Sequence, residues 1–191
     1  MRLILSDVAL VIKVKSDEKK IFTSLSLVAL KLASVKKSFN SKLDMMETSV
    51  QQQQELDLKN TCVQFMFAYQ QRNLEKMLSF CDLNGTVEFI SLGEAGKGKI
   101  GELGKAIWGG LIECFPDIDN TLDAAVAEDE RTVRCQVVIR GTQAKDFADI
   151  KNKGKHFESD HIFIFHLNEN NKIDYVRIQW NHDDFKRQLG M

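Results

Sequence analysis

Apolar positions fall into two regimes along this chain, one at helical spacing and one alternating. Leu58, Cys62, Phe65 with Met66, and Tyr69 recur every three or four residues, the interval that lines one face of an α-helix. With Thr48 or Ser49 as cap and Gln51, Gln52, Gln53 and Gln54 on exposed first turns, this predicts a helix over residues 50–71. Leu74, Met77, Leu78 and Cys81 predict a shorter second helix, stopped by Asp82-Leu83-Asn84-Gly85, after which residues 86–91 read as a strand. Ile100, Leu103, Ile107, Leu111 and Phe115 predict a third helix, ended by the only proline, Pro116. Beyond it the period changes to two. Residues 118–128, 131–142, 156–167 and 173–180 read as strands, joined in hairpins at Asp129-Glu130 and at residues 168–171. Helices followed by a meander, without βαβ alternation, predict an α+β fold with helices packed on one side of a curved, mainly antiparallel sheet. A ligand pocket in such a fold lies between helices and sheet.

Residues 1–48 follow neither pattern. They form a leader, either poorly ordered or an added helix, that need not belong to the mature domain at 49–191. Met45 and Met46 offer a later start immediately before the regular signals. Apolar runs at 3–5, 8–12 and 25–30 are cut by Asp7, Lys13, Lys15, Asp17 and Lys31, so no membrane span is expected. No small-residue cleavage signature follows them, which disfavours a secretory signal, and Arg2 is the leader's only arginine, unlike a typical presequence. Charge separates the same two parts. Residues 1–44 carry nine Lys/Arg against four Asp/Glu, an excess of five, so residues 45–191 carry −6 of the formal total of −1. An acidic domain has no field to hold nucleic acid. Four cysteines without C-x-x-C spacing predict neither a zinc site nor a disulfide framework, and unpaired thiols suit the cytoplasm.

Three groups of residues suggest chemistry. Gly93-Glu94-Ala95-Gly96-Lys97-Gly98-Lys99 fits G-x-x-x-x-G-K, but Ile100 stands where a phosphate-binding loop needs Ser or Thr for Mg²⁺. A glycine-rich turn entering the third helix is the better reading. His156, His161, His166 and His182 crowd the last 36 residues. In a regular strand His161 points opposite to His156 and His166, and those two stand roughly 33 Å apart, so no metal site and no cofactor is expected. Glu158, Asp160, Asp174, Asp183 and Asp184 sit at element margins, where solvated charge is normal, and Asp117 and Asp119 read as turn residues.

Taken in order, Gly98-Lys99-Ile100, the helix end Cys114-Phe115-Pro116-Asp117-Ile118, Gly141-Thr142-Gln143, Gly154-Lys155, Asn171-Lys172-Ile173 and Arg187-Gln188-Leu189-Gly190 resemble the SnoaL-like branch of the nuclear transport factor 2-like superfamily, over residues 55–190. The resemblance implies a cone-shaped fold enclosing one apolar pocket, a homodimer through sheet surfaces, and polyketide cyclase or isomerase chemistry as one option. It also implies a strand His and a later-strand Asp for proton transfer. Those positions fall on Phe163 and Ile178 here, the family's Gly-Thr-His reads Gly141-Thr142-Gln143, and its Asp ahead of the closing helix is Asn181.

If Phe163 faces the pocket, alternation places Ser159, His161 and Phe165 beside it, and Ile178 brings Val176 and Trp180. Tyr69 and Trp108 join from the helices. His161 is then the one titratable lining group and the candidate general acid or base. The expected function is binding of a small, largely apolar molecule. One form of it is enzymatic: cyclase or isomerase action on a carbonyl substrate, with Tyr69 or Tyr175 donating to an enolate oxygen. The other is a non-catalytic ligand-binding or dimerisation module. The opposite sheet face, where Val138, Ile162 and Ile164 mix with Arg140, Asp160, His166, Arg177 and Gln179, suits contact with a second copy.

Overall fold

The computed structural model describes the backbone of residues 3–191 and the side chains of 31, 32 and 34–191, so the side chains of the leader's apolar runs at 3–5, 8–12 and 25–30 lie outside the described residues. The chain divides into two compact units, Met1–Gln51 and Gln52–Met191.

Helix α1 spans Leu3–Gln70, much longer than the 50–71 that periodicity predicts. The chemistry of the backbone explains the length: the chain has no glycine before Gly85 and no proline before Pro116, so nothing breaks the helix. Every described side chain from 31 to 57 is exposed. From Leu58 the helix buries one face through Leu58, Cys62, Phe65, Met66, Ala68 and Tyr69. It ends where Arg72 takes φ 58°. Asn73 then caps α2 (Leu74–Ser79) by accepting the Lys76 amide on Oδ1 at 3.0 Å.

Strand β1 covers Cys81–Phe89, so residues 82–85, expected to be a turn, lie within it. The pairing with the last strand shifts register between Cys81 and Thr86, which absorbs the irregular residues. Gly85 is required there because a Cβ would stand 2.3 Å from the Asp174 carbonyl oxygen. A 3₁₀ stretch, Ile90–Gly96, leads to β2 (Lys97–Lys99), which pairs antiparallel with β1. The Gly93 to Lys99 segment is thus a returning strand with a 3₁₀ approach, not a phosphate loop before a helix. A π turn, Ile100–Gly104, opens α3 (Lys105–Cys114), which ends at Phe115-Pro116 as predicted.

Strands β3 (Asp119–Ala127), β4 (Thr132–Thr142), β5 (His156–Leu167) and β6 (Ile173–Trp180) follow within a residue or so of the predicted ranges, and α4 (His182–Gln188) closes the chain. The six strands form one open sheet in the order β2-β1-β6-β5-β4-β3. Every neighbouring pair is antiparallel except β1 and β6, which run parallel. The fold is α+β.

Alternation directs one sheet face to the helices: β4 buries Val133, Cys135, Val137 and Ile139. Phe65 of α1 meets Trp108 of α3 and Phe165 of β5 edge-on, each at a centroid distance of 5.3 Å. Polar ties fix the carboxyl end of α1 to β3. Gln70 Nε2 donates to the Asn120 carbonyl at 3.1 Å, Asn120 Nδ2 donates to the Met66 carbonyl at 3.1 Å, and Arg72 donates to the Ile118 carbonyl at 3.0 Å. All four cysteines are free and buried. Burial pushes the thiols of Cys81 and Cys135 up to about 12, so they stay protonated and inert. Among the described residues no helix is long and apolar enough to cross a membrane, and no cluster of His, Cys, Asp and Glu could hold a metal ion.

Candidate functional site

The helix-facing side of the sheet does not fill completely. A cavity of about 230 Å³ remains, walled by Tyr69 from the end of α1, Trp108 from α3, His161 and Phe163 from β5, Ile178 and Trp180 from β6, and Phe185 from α4. Its rim comes from Phe147, Ala148, Asp149 and Ile150 in the β4–β5 connection. Apolar carbon dominates the walls, as in sites that take apolar ligands.

Register explains which strand residues meet there. Phe163 pairs with Ile178 and His161 with Trp180 across β5 and β6, so both pairs point inward, with the His161 ring stacked on Trp180 at 5.8 Å. Val176 does not line the cavity. It pairs with Phe165, and both are fully buried in the layer where Phe165 packs under Phe65. Ser159, expected beside His161, is buried without reaching the cavity. Tyr175 is a second correction: its hydroxyl donates to Glu88 Oε2 at 2.6 Å, and the residue forms no part of the cavity wall. On β5, His166 Nδ1 pairs with Asp174 at 2.6 Å and His156 contacts Thr142, so neither approaches His161.

Tyr69, His161 and His182 bring polar atoms to this apolar space, together with Asp149, an exposed carboxylate 3.5 Å from Lys186 Nζ. His161 Nδ1 donates to the Ser159 carbonyl at 2.9 Å. A carbonyl only accepts, so in the neutral ring the proton sits on Nδ1 and Nε2 keeps its lone pair. Burial pushes the His161 imidazole down to about 4, against a smaller upward pull from the Ser159 carbonyl and Asp160. It is neutral at physiological pH. Tyr69 has a buried hydroxyl with no hydrogen-bond partner among the described residues, and burial raises its phenol, so it remains a donor. His182, at the start of α4, also lines the cavity, with Nδ1 buried and without a partner. Its ring stacks on Phe185 and meets Trp180 edge-on.

Sequence spacing missed His182 because it lies two residues past β6, outside any strand alternation. The only available signal was its position directly after Trp180-Asn181, where a chain turning back over the sheet brings the next side chain to the strand ends. Asn181 itself caps α4, accepting the Asp184 amide at 3.0 Å. Gln143 is buried and donates to the Ile150 carbonyl at 3.1 Å, fastening the connection that rims the cavity. Both residues at these expected catalytic positions therefore hold local structure.

Comparison with known proteins finds no matching family model and no matching curated sequence. Solved structures do match. A Jannaschia sp. CCS1 protein assigned as a SnoaL-like polyketide cyclase superposes with a TM-score of 0.63 at 13% identity, over 71% of this chain and 92% of that one. AclR from Streptomyces galilaeus, assigned as a hydroxylase, gives 0.61 at 15% identity, over 71% and 86%. IdmH from Streptomyces antibioticus, assigned as a polyketide cyclase, gives 0.57 at 20% identity, over 70% and 99%. The chain has the SnoaL-like fold.

Proposed function

We propose that this SnoaL-like chain binds a small, largely apolar carbonyl compound in the cavity and acts on the carbon beside that carbonyl. The observation that carries the reading is the pairing, inside one apolar cavity, of a neutral imidazole with a buried phenol that has no partner. A carbonyl oxygen placed at Tyr69 accepts the phenolic proton in a hydrogen bond, which strengthens as negative charge develops on that oxygen. His161 Nε2 accepts the proton leaving the α-carbon. The resulting imidazolium delivers that proton to a different carbon of the conjugated enolate, which shifts the double bond, or the enolate carbon attacks a second carbonyl of the same molecule and the imidazolium protonates the alkoxide so formed. The first course is an isomerisation and the second a ring closure. Apolar walls exclude water and strengthen both hydrogen bonds.

The alternative is a binding module without turnover. It is favoured by Phe163 and Ile178, which face each other across β5 and β6 at the positions where the resemblance implies a His and an Asp. Exchange of the α-protons of 1-tetralone in D₂O, followed by NMR, separates the readings. Exchange accelerated by the protein, lost in His161→Phe and reduced in Tyr69→Phe, supports the enzyme. Saturable binding of 1-tetralone with exchange at the solvent rate supports the module. No binding of it or of larger ketones would sink both.

A further inference from the structure

Outside the cavity, one feature of the molecule has no use in the reading above: the exposed part of α1. Leu32, Val35, Phe39, Leu43, Met46 and Val50 are all strongly exposed, between 45% and 67%. Their spacing of 3, 4, 4, 3 and 4 residues keeps them within an arc of roughly 80° on a helix of 3.6 residues per turn, and 18 residues of rise make the stripe about 27 Å long. Such a stripe is unstable in water without a cover.

We propose that the cover is the same stripe of a second copy, packed antiparallel about a two-fold axis near residue 41. Two independent features select this occupant. The first is the spacing, which reads almost the same in both directions: a two-fold axis there sets Leu32 opposite Val50, Val35 opposite Met46 and Phe39 opposite Leu43. The second is charge. Lys31, Lys36 and Lys37 precede the axis and Lys42 stands just past it, while Asp44 and Glu47 occupy the carboxyl-terminal half of the stripe and Glu55 and Asp57 lie beyond its end. A parallel pair would set Lys36 beside Lys36 and Glu47 beside Glu47; an antiparallel pair sets Lys36 against Glu47 and leaves like charges adjacent only at Lys42, next to the axis. On the helix surface Lys36 and Glu47 flank the same edge of the stripe, nearly symmetric about its centre. The two-fold axis therefore places each Lys36 next to Glu47 of the other copy, twice per dimer. A membrane surface fits less well, because helices that lie on anionic lipid carry basic residues along their polar face, and here Asp44 and Glu47 interrupt the basic residues. This dimer does not depend on the cavity chemistry, and it uses a different surface from the sheet face.

The test uses the full chain. Sedimentation equilibrium should give a dimer, and Phe39→Asp should weaken self-association by about 100-fold or more, with the thermal unfolding of residues 52–191 unchanged as the control for folding. Lys36→Glu or Glu47→Lys alone should weaken it by about 5-fold, and the double exchange should restore it. Carbodiimide should cross-link Lys36 to Glu47. Within one helix these residues are eleven positions, about 16 Å, apart, so that zero-length link forms only between copies. A monomer at micromolar concentration would overturn the proposal, as would a dimer that survives Phe39→Asp, which would point to the sheet face. A chain that is monomeric but binds phosphatidylserine vesicles through the stripe would overturn it in favour of lipid.

Discussion

His161 shows how one residue's surroundings set both its charge and its chemistry. Its strand position points it inward, its Nδ1–H is held by the Ser159 carbonyl, and burial lowers its proton affinity to about 4 from an ordinary 6.5. In the unfolded chain it titrates near 6.5. Between these values the unfolded state binds more protons than the folded one, so stability is complete above 6.5 and falls as the pH drops toward 4. The loss from this group is at most about 3 kcal/mol. Urea unfolding across that range should show the slope, and His161→Phe should flatten it; an unchanged slope in the variant would assign the effect to other groups. Tyr69 yields the opposite kind of prediction. Its hydroxyl is buried without a partner, so Tyr69→Phe should leave stability equal or raise it by up to about 1 kcal/mol, while reducing exchange of 1-tetralone. A strong destabilisation would mean that the hydroxyl is bonded within the fold. His161 was legible in the alternation of residues 156–167; His182 and the orphaned Tyr69 hydroxyl were not, because each depends on a chain turn that brings separate elements together.

Among the elements, those with a single period matched their sequence pattern and those with mixed signals did not. Strands β5 and β6 begin and end where alternation places them, since each has one face on the core and one outside. Strand β1 starts five residues early because its first part is held by pairing with β6 rather than by its own pattern. Asp-Leu-Asn-Gly is turn chemistry by local propensity, yet it lies in a strand with an irregular register. Gly85→Ala tests that account. Its Cβ would meet the Asp174 carbonyl, so the substitution should destabilise by about 1–3 kcal/mol in urea unfolding. A neutral result would show that β1 and β6 can separate there without cost. Helix α1 failed in the other direction: periodicity located only its buried part, because a pattern search finds faces that pack and the described side chains from 31 to 57 pack on nothing within the chain.

For the whole molecule, the two units call for different arguments. Residues 52–191 bury a core shared by four helices and five of the six strands, β2 adding nothing to it, whereas the described side chains from 31 to 51 are all exposed. Removing residues 1–44 should therefore leave the thermal midpoint of the remaining unit nearly unchanged, as followed by circular dichroism at 222 nm together with near-ultraviolet signals from its tryptophans, Trp108 and Trp180. The same truncation removes Leu32, Val35, Phe39 and Leu43, and should abolish self-association. A large fall in the midpoint would show that the removed helix stabilises the unit directly.

The sequence alone determined the class of the fold, the order of α1 to α3 and of every strand except β2, and the inward set of residues on β5 and β6, because period and burial are local consequences of where apolar side chains recur. It also carried the resemblance to the SnoaL-like fold, and it marked Phe163 and Ile178 as apolar where that resemblance implies proton-transfer groups. Only the tertiary structure decided that those two face each other, that Val176 and Tyr175 stand apart from the cavity, and that Tyr69, His161 and His182 share it. The physical reason is that a cavity is what packing leaves unfilled. Its shape depends on how distant elements meet and on side chains such as Trp108 and Phe165 that fill the space around it, and no local spacing encodes that sum.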